Sequence, residues 1–218
     1  MLDLQAASIW RDMRTELASA HGDVLDVGAG AQPYRTLLPV GVRYHAIDIV
    51  ESDAVFGYDL PDTERFEGQR WPVEDGSADL VMATETLEHV PEPAIFLQEA
   101  RRVLRKGGRL IVTVPFSARW HYVPHDYWRF TPSSLRIMLE AAGFSDVAVY
   151  ARGNETTVAC NKALALILMS LTRNQGRPMR RALAVSMLPL AAVLAFVGQI
   201  SLRDDGGEDC LGWTAVGT

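Results

Sequence analysis

The stretch VLDVGAGAQPY, residues 24–34, decides the fold of this chain. It opens with apolar residues typical of a buried strand and continues into two glycines, Gly28 and Gly30. Glycine permits a sharp backbone turn and a close approach to a ligand, so we predict a strand that passes into a helix beside a binding site. A tight strand-to-helix turn without a ligand is the alternative.

Strand-length apolar runs recur along the chain and alternate with helical patterns. The segment 93–106 carries its apolar residues on one side and ends in basic residues followed by Gly107, as an amphipathic helix does. The alternation predicts an α/β fold with a Rossmann-like, mostly parallel sheet and helices on both faces. The other strand-like runs are residues 43–50, 78–85, 108–116, 146–153 and 210–218.

Length and composition limit the classes of protein. The 218 residues, 48% of them hydrophobic, predict a single domain over 1–218. A net charge of -6 argues against a nucleic-acid partner and favours a small or lipid-like substrate. Cys160 and Cys210 fit neither a disulfide framework nor a zinc-ligand spacing, so we predict free thiols and no metal site; one disulfide is the alternative. The charged amino terminus lacks the apolar region of a signal peptide, which predicts a cytoplasmic location.

Two carboxylates near the glycine loop indicate which cofactor it binds. Asp48 follows Gly28 by 48 − 28 = 20 residues, at the end of the second strand pattern, where a carboxylate can accept both hydroxyl hydrogens of a ribose. Asp26 would repel a pyrophosphate but attract a cation. S-adenosylmethionine carries an ammonium group, a sulfonium and a ribose without any phosphate, so it is the predicted cofactor. An NAD-dependent oxidoreductase is the alternative, which Asp26 disfavours.

Four stretches, taken together and in order, give the chain a family resemblance. They are residues 24–34, 44–50, 71–93 and 103–115. Over residues 20–150 the chain resembles the class I S-adenosylmethionine-dependent methyltransferases, in particular their type 11-like group. The resemblance implies that the last strand, 210–218, pairs antiparallel beside 146–153. It also implies that the protein is a methyltransferase.

The resemblance also assigns cofactor-binding residues. The methionine end is implied for Asp26, Gly28 and Gly30, the ribose for Asp48 and the adenine side for Glu67. Thr84 and Glu85 are implied to lie along the methionine moiety, and His89 is expected to be a helix-start residue packed beneath the cofactor. The chain departs from the family where Gln32, followed by Pro33, replaces a frequent third glycine.

The aromatic stretch WHYVPHDYWRFTP, residues 120–132, follows a strand and is predicted to emerge at the carboxyl edge of the sheet, where ligands bind. We expect His125, with His121 in reserve, to act as the base for a hydroxyl acceptor. The predicted substrate-binding residues are Tyr122, Tyr127, Trp128 and Arg129. The alternative is structural: Tyr127, Trp128 and Phe130 fill a small satellite core, Asp126 and Arg129 hold the loop by hydrogen bonds, and Thr131 caps the next helix.

The acceptor itself is predicted in outline only. Residues 125–132 resemble a segment of methyltransferases in bacterial surface-polysaccharide and lipid pathways. This resemblance implies O-methylation of a small, sugar or lipid-linked acceptor. A noncatalytic, membrane-associated scaffold that only binds the cofactor is the alternative.

The composition shifts over residues 163–202, which we predict to be an apolar helical hairpin inserted before the last strand. Both ends must return to the same side of the domain, so a single membrane crossing does not fit. Arginines 173, 177, 180 and 181 between the arms could contact anionic headgroups. Three interpretations are open: peripheral contact with the inner face of the membrane, a homodimer or internal packing surface, and true spanning of the membrane.

Overall fold

The computed structural model describes residues 3–57, 60–173 and 178–218, without the side chains at 172, 173, 178, 180 and 181. The chain divides into two compact units. The sheet unit comprises Trp10–Tyr150 and Trp213–Thr218, and the helical unit comprises Met1–Ile9 and Ala151–Gly212. The assignment of all 218 residues to a single domain stays a prediction.

Seven strands form one sheet in the order β3-β2-β1-β4-β5-β7-β6. β1 to β5 pair in parallel along it. Ser145 and Thr218 exchange backbone hydrogen bonds, and the Leu211 N–H donates to the Arg152 carbonyl, so β6 and β7 run antiparallel. The predicted fold class is therefore confirmed. The strands are β1 Asp23–Val27, β2 Arg43–Ile49, β3 Thr63–Phe66, β4 Ala78–Thr84, β5 Leu104–Pro115, β6 Ala148–Arg152 and β7 Gly212–Gly217.

Among the described residues, seven α-helices precede or connect the strands: α1 Leu4–Glu16, α2 Ser52–Phe56, α3 Pro93–Val103, α4 Pro132–Ala141, α5 Glu155–Arg173, α6 Pro178–Ser186 and α7 Leu188–Ser201. α3 ends at Val103, whereas the sequence pattern extends it to Lys106. The reason is strand pairing: Leu104 already lies opposite Ala78 on β4, before an irregularity in the register. Single-turn 3-10 helices, Pro33–Leu37 and Leu87–His89, follow β1 and β4.

The core of the sheet unit fixes where the strands end. Leu25 on β1, Ile47 on β2 and Val81 on β4 belong to one buried apolar cluster. Complete burial of such a side chain contributes about 1.5–3 kcal/mol. Because these strands are parallel and in register, their carboxyl ends lie at one edge of the sheet, where ligands bind in open α/β folds.

The helical unit has its own apolar cluster, which includes Leu4, Leu164 and Ala191. The region predicted as a hairpin over 163–202 begins earlier, at Glu155, and its second arm is divided into α6 and α7. Residue 177 and the side chains of residues 173, 180 and 181 lie outside the described residues, so the predicted arginine-rich turn is not described. In the described ranges, no helix has the length and hydropathy needed to cross a membrane.

Candidate active site

A cavity of about 540 Å³ lies where β1, β2 and β4 end. Its wall includes residues from the glycine loop, from the ends of these strands and from the aromatic loop after β5. The volume is within the range of pockets that hold cofactors and other small ligands. The cavity-lining residues used below are Gly28, Gly30, Asp48, Phe66, Gln69, Thr84, Glu85, His89, His121 and Tyr122.

The glycine loop reaches the cavity wall because Gly28 has a φ of +67°. A Cβ atom at Gly28 would lie 2.4 Å from Cγ2 of Thr86, so no larger residue fits there. Gln32 replaces the third glycine that the family often has, and it adopts a left-handed conformation with a φ of 52°. The Nε2 atom of Gln32 donates to Oγ1 of Thr63 at 2.9 Å. This hydrogen bond fixes the loop at the position where the family often has a glycine.

Asp48 is a buried carboxylate in the wall of the cavity. Its Oδ2 accepts a hydrogen bond from the Gly30 N–H at 3.0 Å, and its Oδ1 accepts one from the Ile49 N–H at 2.9 Å. Burial raises the pKa of Asp48 despite these bonds. Each carboxylate oxygen has a second lone pair, so Asp48 can still accept hydrogen bonds from two hydroxyl groups. This donor and acceptor set fits a ribose.

Asp26 lies on β1 but not in the cavity wall. Its Oδ2 accepts a hydrogen bond from the Tyr44 hydroxyl at 2.6 Å, whereas its Oδ1 is buried without a hydrogen-bond partner among the described residues. Burial raises the pKa of Asp26 to about 7. An orphaned buried acceptor costs free energy, and a cationic group bound nearby would relieve that cost. Asp26 thus fits a cofactor that carries an ammonium group.

The remaining predicted cofactor residues divide into two groups. Thr84 and Glu85 line the cavity as expected, and Oε1 of Glu85 accepts from the Thr113 hydroxyl at 3.2 Å. Glu67 is exposed and outside the wall, whereas its neighbours Phe66 and Gln69 line it. Alternation along an extended chain places Phe66 and Glu67 on opposite sides, but it does not account for Gln69, which lies two residues after Glu67. Sequence reasoning missed Phe66 because β3 is short and polar.

The other end of the cavity, which we call the acceptor end, is built from rings. His121 and Tyr122 of the aromatic loop line it, together with His89. The His89 and His121 rings are 5.0 Å apart between centroids, and Phe56 packs edge-on against Tyr122 at 4.9 Å. Burial lowers the pKa of His89, so its imidazole is neutral near pH 7.

Four other predicted residues of the aromatic loop lie outside the cavity wall: His125, Tyr127, Trp128 and Arg129. The Arg129 guanidinium donates two hydrogen bonds to the Asp126 carboxylate, at 2.6 and 2.7 Å. Trp128 Nε1 donates to the Val90 carbonyl at 3.0 Å. These contacts hold the loop, as the structural alternative predicts. Of the predicted residues in the loop, His121 and Tyr122 line the cavity.

The structural alternative holds only in part. Tyr127 and Trp128 are 46% and 42% exposed, so the prediction that they fill a core is wrong. Phe130 belongs to the buried cluster of the sheet unit. Thr131 caps α4, since its Oγ1 accepts from the Ser134 N–H at 3.2 Å. Phe130 and Thr131 thus anchor the end of the aromatic loop in the core and at the start of α4. The preceding side chains His125, Tyr127 and Trp128 lie outside the cavity wall.

The sheet order, the glycine loop after β1 and the buried acid at the end of β2 define the site of a class I S-adenosylmethionine-dependent methyltransferase. A family model described as "Methyltransferase domain" matches residues 3–149. The chain belongs to this family, and S-adenosylmethionine is the family's cofactor. The predicted family and cofactor are thereby confirmed.

Curated relatives are similar over parts of the chain. A Ubiquinone biosynthesis O-methyltransferase of Xanthomonas oryzae is 30% identical over 113 residues, which is 46% of this chain and 45% of that protein. The chloroplastic Tocopherol O-methyltransferase of Arabidopsis thaliana is 49% identical over 41 residues, 19% of this chain and 12% of that protein. The chain spans less than half the length of the curated relatives it matches.

Solved structures share the fold. A SAM-dependent methyltransferase of Thermotoga maritima, described as a possible histamine N-methyltransferase, has a TM-score of 0.58 at 15% identity and covers 99% of this chain and 90% of its own. A Haemonchus contortus phosphoethanolamine N-methyltransferase, solved with S-adenosyl-L-methionine, has a TM-score of 0.54 at 15% identity, covering 98% and 51%. At these identities the likeness concerns the fold.

Proposed function

We propose that the protein transfers the methyl group of S-adenosylmethionine to an oxygen atom of a small, sugar or lipid-linked acceptor. The observation that carries this proposal is the single cavity whose wall combines the glycine loop and Asp48 with the imidazoles of His89 and His121. Two curated relatives that are similar to parts of this chain are named O-methyltransferases.

The chain's own residues position the reaction. When bound, S-adenosylmethionine supplies an electrophilic methyl group on a sulfonium. Asp48 and the loop at Gly28 orient the cofactor, and the rings at the acceptor end exclude water and hold the acceptor oxygen near the methyl carbon. Nδ1 of His121 lies 2.9 Å from the Arg119 carbonyl oxygen, and the tautomer that donates to this oxygen leaves Nε2 of His121 with a lone pair. A hydroxyl placed against this wall meets a base, and loss of its proton makes the oxygen nucleophilic.

Calorimetry and turnover separate the two parts of the proposal. Purified protein should bind S-adenosylmethionine but not NAD, and should transfer labelled methyl groups to a lysate or lipid extract. His121→Ala should lower turnover by about 100-fold or more and leave cofactor affinity unchanged. His125→Ala is the comparison within the same loop, and we expect a smaller loss because its ring lies outside the wall. Binding of S-adenosylmethionine without any methyl transfer would favour the scaffold instead.

We further propose that the helical unit contacts the membrane surface on its cytoplasmic side. α6 and α7 expose large apolar side chains, with Leu183 64%, Val193 57% and Phe196 66% accessible. Exposed apolar area costs about 25 cal/mol per Å² in water, so a nonaqueous cover is favoured. The sequence places arginines beside these helices, which suits anionic headgroups.

Flotation with anionic liposomes tests this contact. A Val193→Gln, Phe196→Gln double variant should abolish flotation, and it should preserve folding because both side chains are exposed. Ile137→Gln, which changes an equally exposed apolar side chain on α4, is the matched control. If the intact protein is a dimer that ignores liposomes and the double variant is monomeric, a homodimer interface takes the place of membrane contact.

A further inference from the structure

Three metal-ligating side chains lie together at the acceptor end: His89 and His121 in the cavity wall, and Glu88 buried outside the wall. One carboxylate oxygen of Glu88 and one nitrogen of each imidazole lie within 4.8 Å of one another. Nε2 of His89 is 3.7 Å from Oε1 of Glu88. Ligand atoms around a tetrahedral zinc ion, at bonds of about 2.1 Å, are roughly 3.4 Å apart. The widest pair of ligand atoms therefore has to close by up to about 1.4 Å to form a three-ligand site.

In both imidazoles, Nδ1 lies within hydrogen-bond distance of an oxygen atom, as is typical of metal-bound histidines. Nδ1 of His89 lies 2.5 Å from the His125 carbonyl oxygen. Nδ1 of His121 lies 2.9 Å from the Arg119 carbonyl oxygen and 3.0 Å from Oδ2 of Asp126. A ring nitrogen that donates to a carbonyl or carboxylate fixes the tautomer and leaves the other nitrogen, Nε2, as the ligand. Such outer partners are typical of metal-bound histidines.

Burial and backbone contacts hold the three side chains together. The Glu88 side chain is fully buried and that of His89 is 9% exposed. The Glu88 carbonyl accepts hydrogen bonds from the N–H groups of Tyr127 and Trp128, which ties the aromatic loop to the turn after β4. The two histidines are 121 − 89 = 32 positions apart, so no sequence spacing reveals the set.

We propose that Glu88, His89 and His121 bind a divalent transition-metal ion at the acceptor end of the cavity. Two imidazoles and one carboxylate suit zinc and its neighbours in the first transition row rather than magnesium or calcium. His89 and His121 line the cavity, so the remaining coordination position opens toward the acceptor. Three protein ligands with one open position are the arrangement of catalytic rather than structural zinc sites.

The ion gives the acceptor end a defined chemistry, and this step rests on the proposed function. An acceptor hydroxyl that took the open position would release its proton to solvent as it binds, before the rings exclude water, because a bound cation lowers the pKa of a ligated hydroxyl. The oxygen then forms a bond to the methyl carbon while the carbon–sulfur bond breaks. The ion thus takes over the activation that an imidazole would otherwise provide directly.

Zinc titration by calorimetry and cobalt substitution test the site without any turnover. We expect one zinc ion per chain and visible d–d absorption on addition of Co²⁺. His121→Ala should lower zinc affinity by at least about 100-fold, and Asp126→Asn by about 10- to 100-fold, because outer partners contribute that much. His121 is 31% exposed, so its loss should leave the fold intact, which circular dichroism checks.

His45→Ala is the matched control, since His45 pairs with Glu64 at 2.7 Å on the surface and has no third ligand among the described residues. Its zinc affinity should equal that of the unaltered protein. Absence of zinc binding, or equal binding by the His121 and His45 variants, would overturn the site. Methyl transfer from labelled S-adenosylmethionine by metal-free protein gives an independent result: activity that is unaffected by metal removal leaves the proposed function standing and removes the ion from it.

Discussion

The two ends of the cavity differ in how the chain builds them. The cofactor end is built from strand termini: Gly28 and Gly30 follow β1, and Asp48 belongs to β2. The acceptor end combines the turn after β4 with a loop more than thirty residues further on, joined through Glu88 and the N–H groups of Tyr127 and Trp128. Local sequence determines the first end, whereas tertiary contacts determine the second.

This difference implies that substitutions at the two ends should have different consequences. At the cofactor end, a single residue sets backbone geometry and cofactor affinity together. At the acceptor end, several contacts together position His121 and Tyr122, so the loss of one contact should have a smaller effect on stability and on binding. The following predictions test that contrast, beginning with the largest effect.

Gly28→Ala should lower the free energy of unfolding by roughly 2–4 kcal/mol, since strain at a positive φ and overpacking both contribute. The new Cβ would lie 2.4 Å from Cγ2 and 2.6 Å from Oγ1 of Thr86. Gly41→Ala is the control, because Gly41 has a φ of +92° but no atom within 4 Å of the added Cβ. Urea unfolding of both variants measures the difference; equal losses would show that the clash with Thr86 is unimportant.

Asp48→Asn should weaken S-adenosylmethionine binding by about 10- to 150-fold, because a lost hydrogen bond to a charged group costs about 1.5–3 kcal/mol. The fold should survive, since an amide oxygen can still accept one of the two backbone bonds from Gly30 and Ile49. Calorimetry gives the affinity. Asp53→Asn, on α2 and exposed, serves as the control, and equal affinities of the two variants would contradict the ribose assignment.

Asp26 should make both stability and cofactor affinity depend on pH. Its pKa is about 7 in the folded protein against an ordinary 3.8, so the folded state holds the proton more tightly. The resulting stability is fully present below about pH 3.8 and is lost as the pH rises toward 7. Affinity for the cofactor's ammonium group should rise over the same range, by at most about tenfold per pH unit.

Asp26→Asn should flatten both profiles. Urea unfolding and calorimetry at pH 5 and pH 8 provide the measurement. If the variant keeps the pH dependence of the unaltered protein, the carboxyl group of Asp26 is not its source.

Thr131→Ala should lower the free energy of unfolding by only about 1 kcal/mol, the usual cost of a lost helix cap. Thr131 and Ser134 form a reciprocal capping box at the start of α4, directly after the aromatic loop. Ser133→Ala, in the same helical turn, is the control. Cofactor affinity should stay unchanged; a tenfold loss would mean that the acceptor end is as fragile as the cofactor end.

Sequence reasoning predicted most of the fold and the cofactor end. Periodicity found six of the seven strands, because each buries apolar side chains, and missed β3, whose sequence TERF is short and polar. Gly28 and Asp48 were predictable because strand order and spacing place them together. Asp26 was expected to line the methionine end, but it lies buried behind the wall, where Tyr44 bonds it.

The acceptor end was predictable only in part. The aromatic loop was correctly placed at the cavity, but spacing within it could not show that His121 and Tyr122 face inward while Trp128 and Arg129 bind backbone carbonyls. His89 was expected to be a helix-start residue beneath the cofactor, and this stays a prediction; its place in the wall beside His121 was not predicted. Such pairings depend on where the chain folds back, which no local pattern records.

The position of β7 in the sheet has a consequence for synthesis on the ribosome. β7 lies between β5 and β6, although residues 153–211 separate it from β6 in the chain. At 5–20 residues per second, translation of this interval takes about 3–12 s. During that time β6 has no neighbour and the edge of β5 is open, and open strand edges invite pairing with other chains. For several seconds, the edges of β5 and β6 that β7 later covers are therefore open in the nascent protein, and binding of a chaperone would protect them.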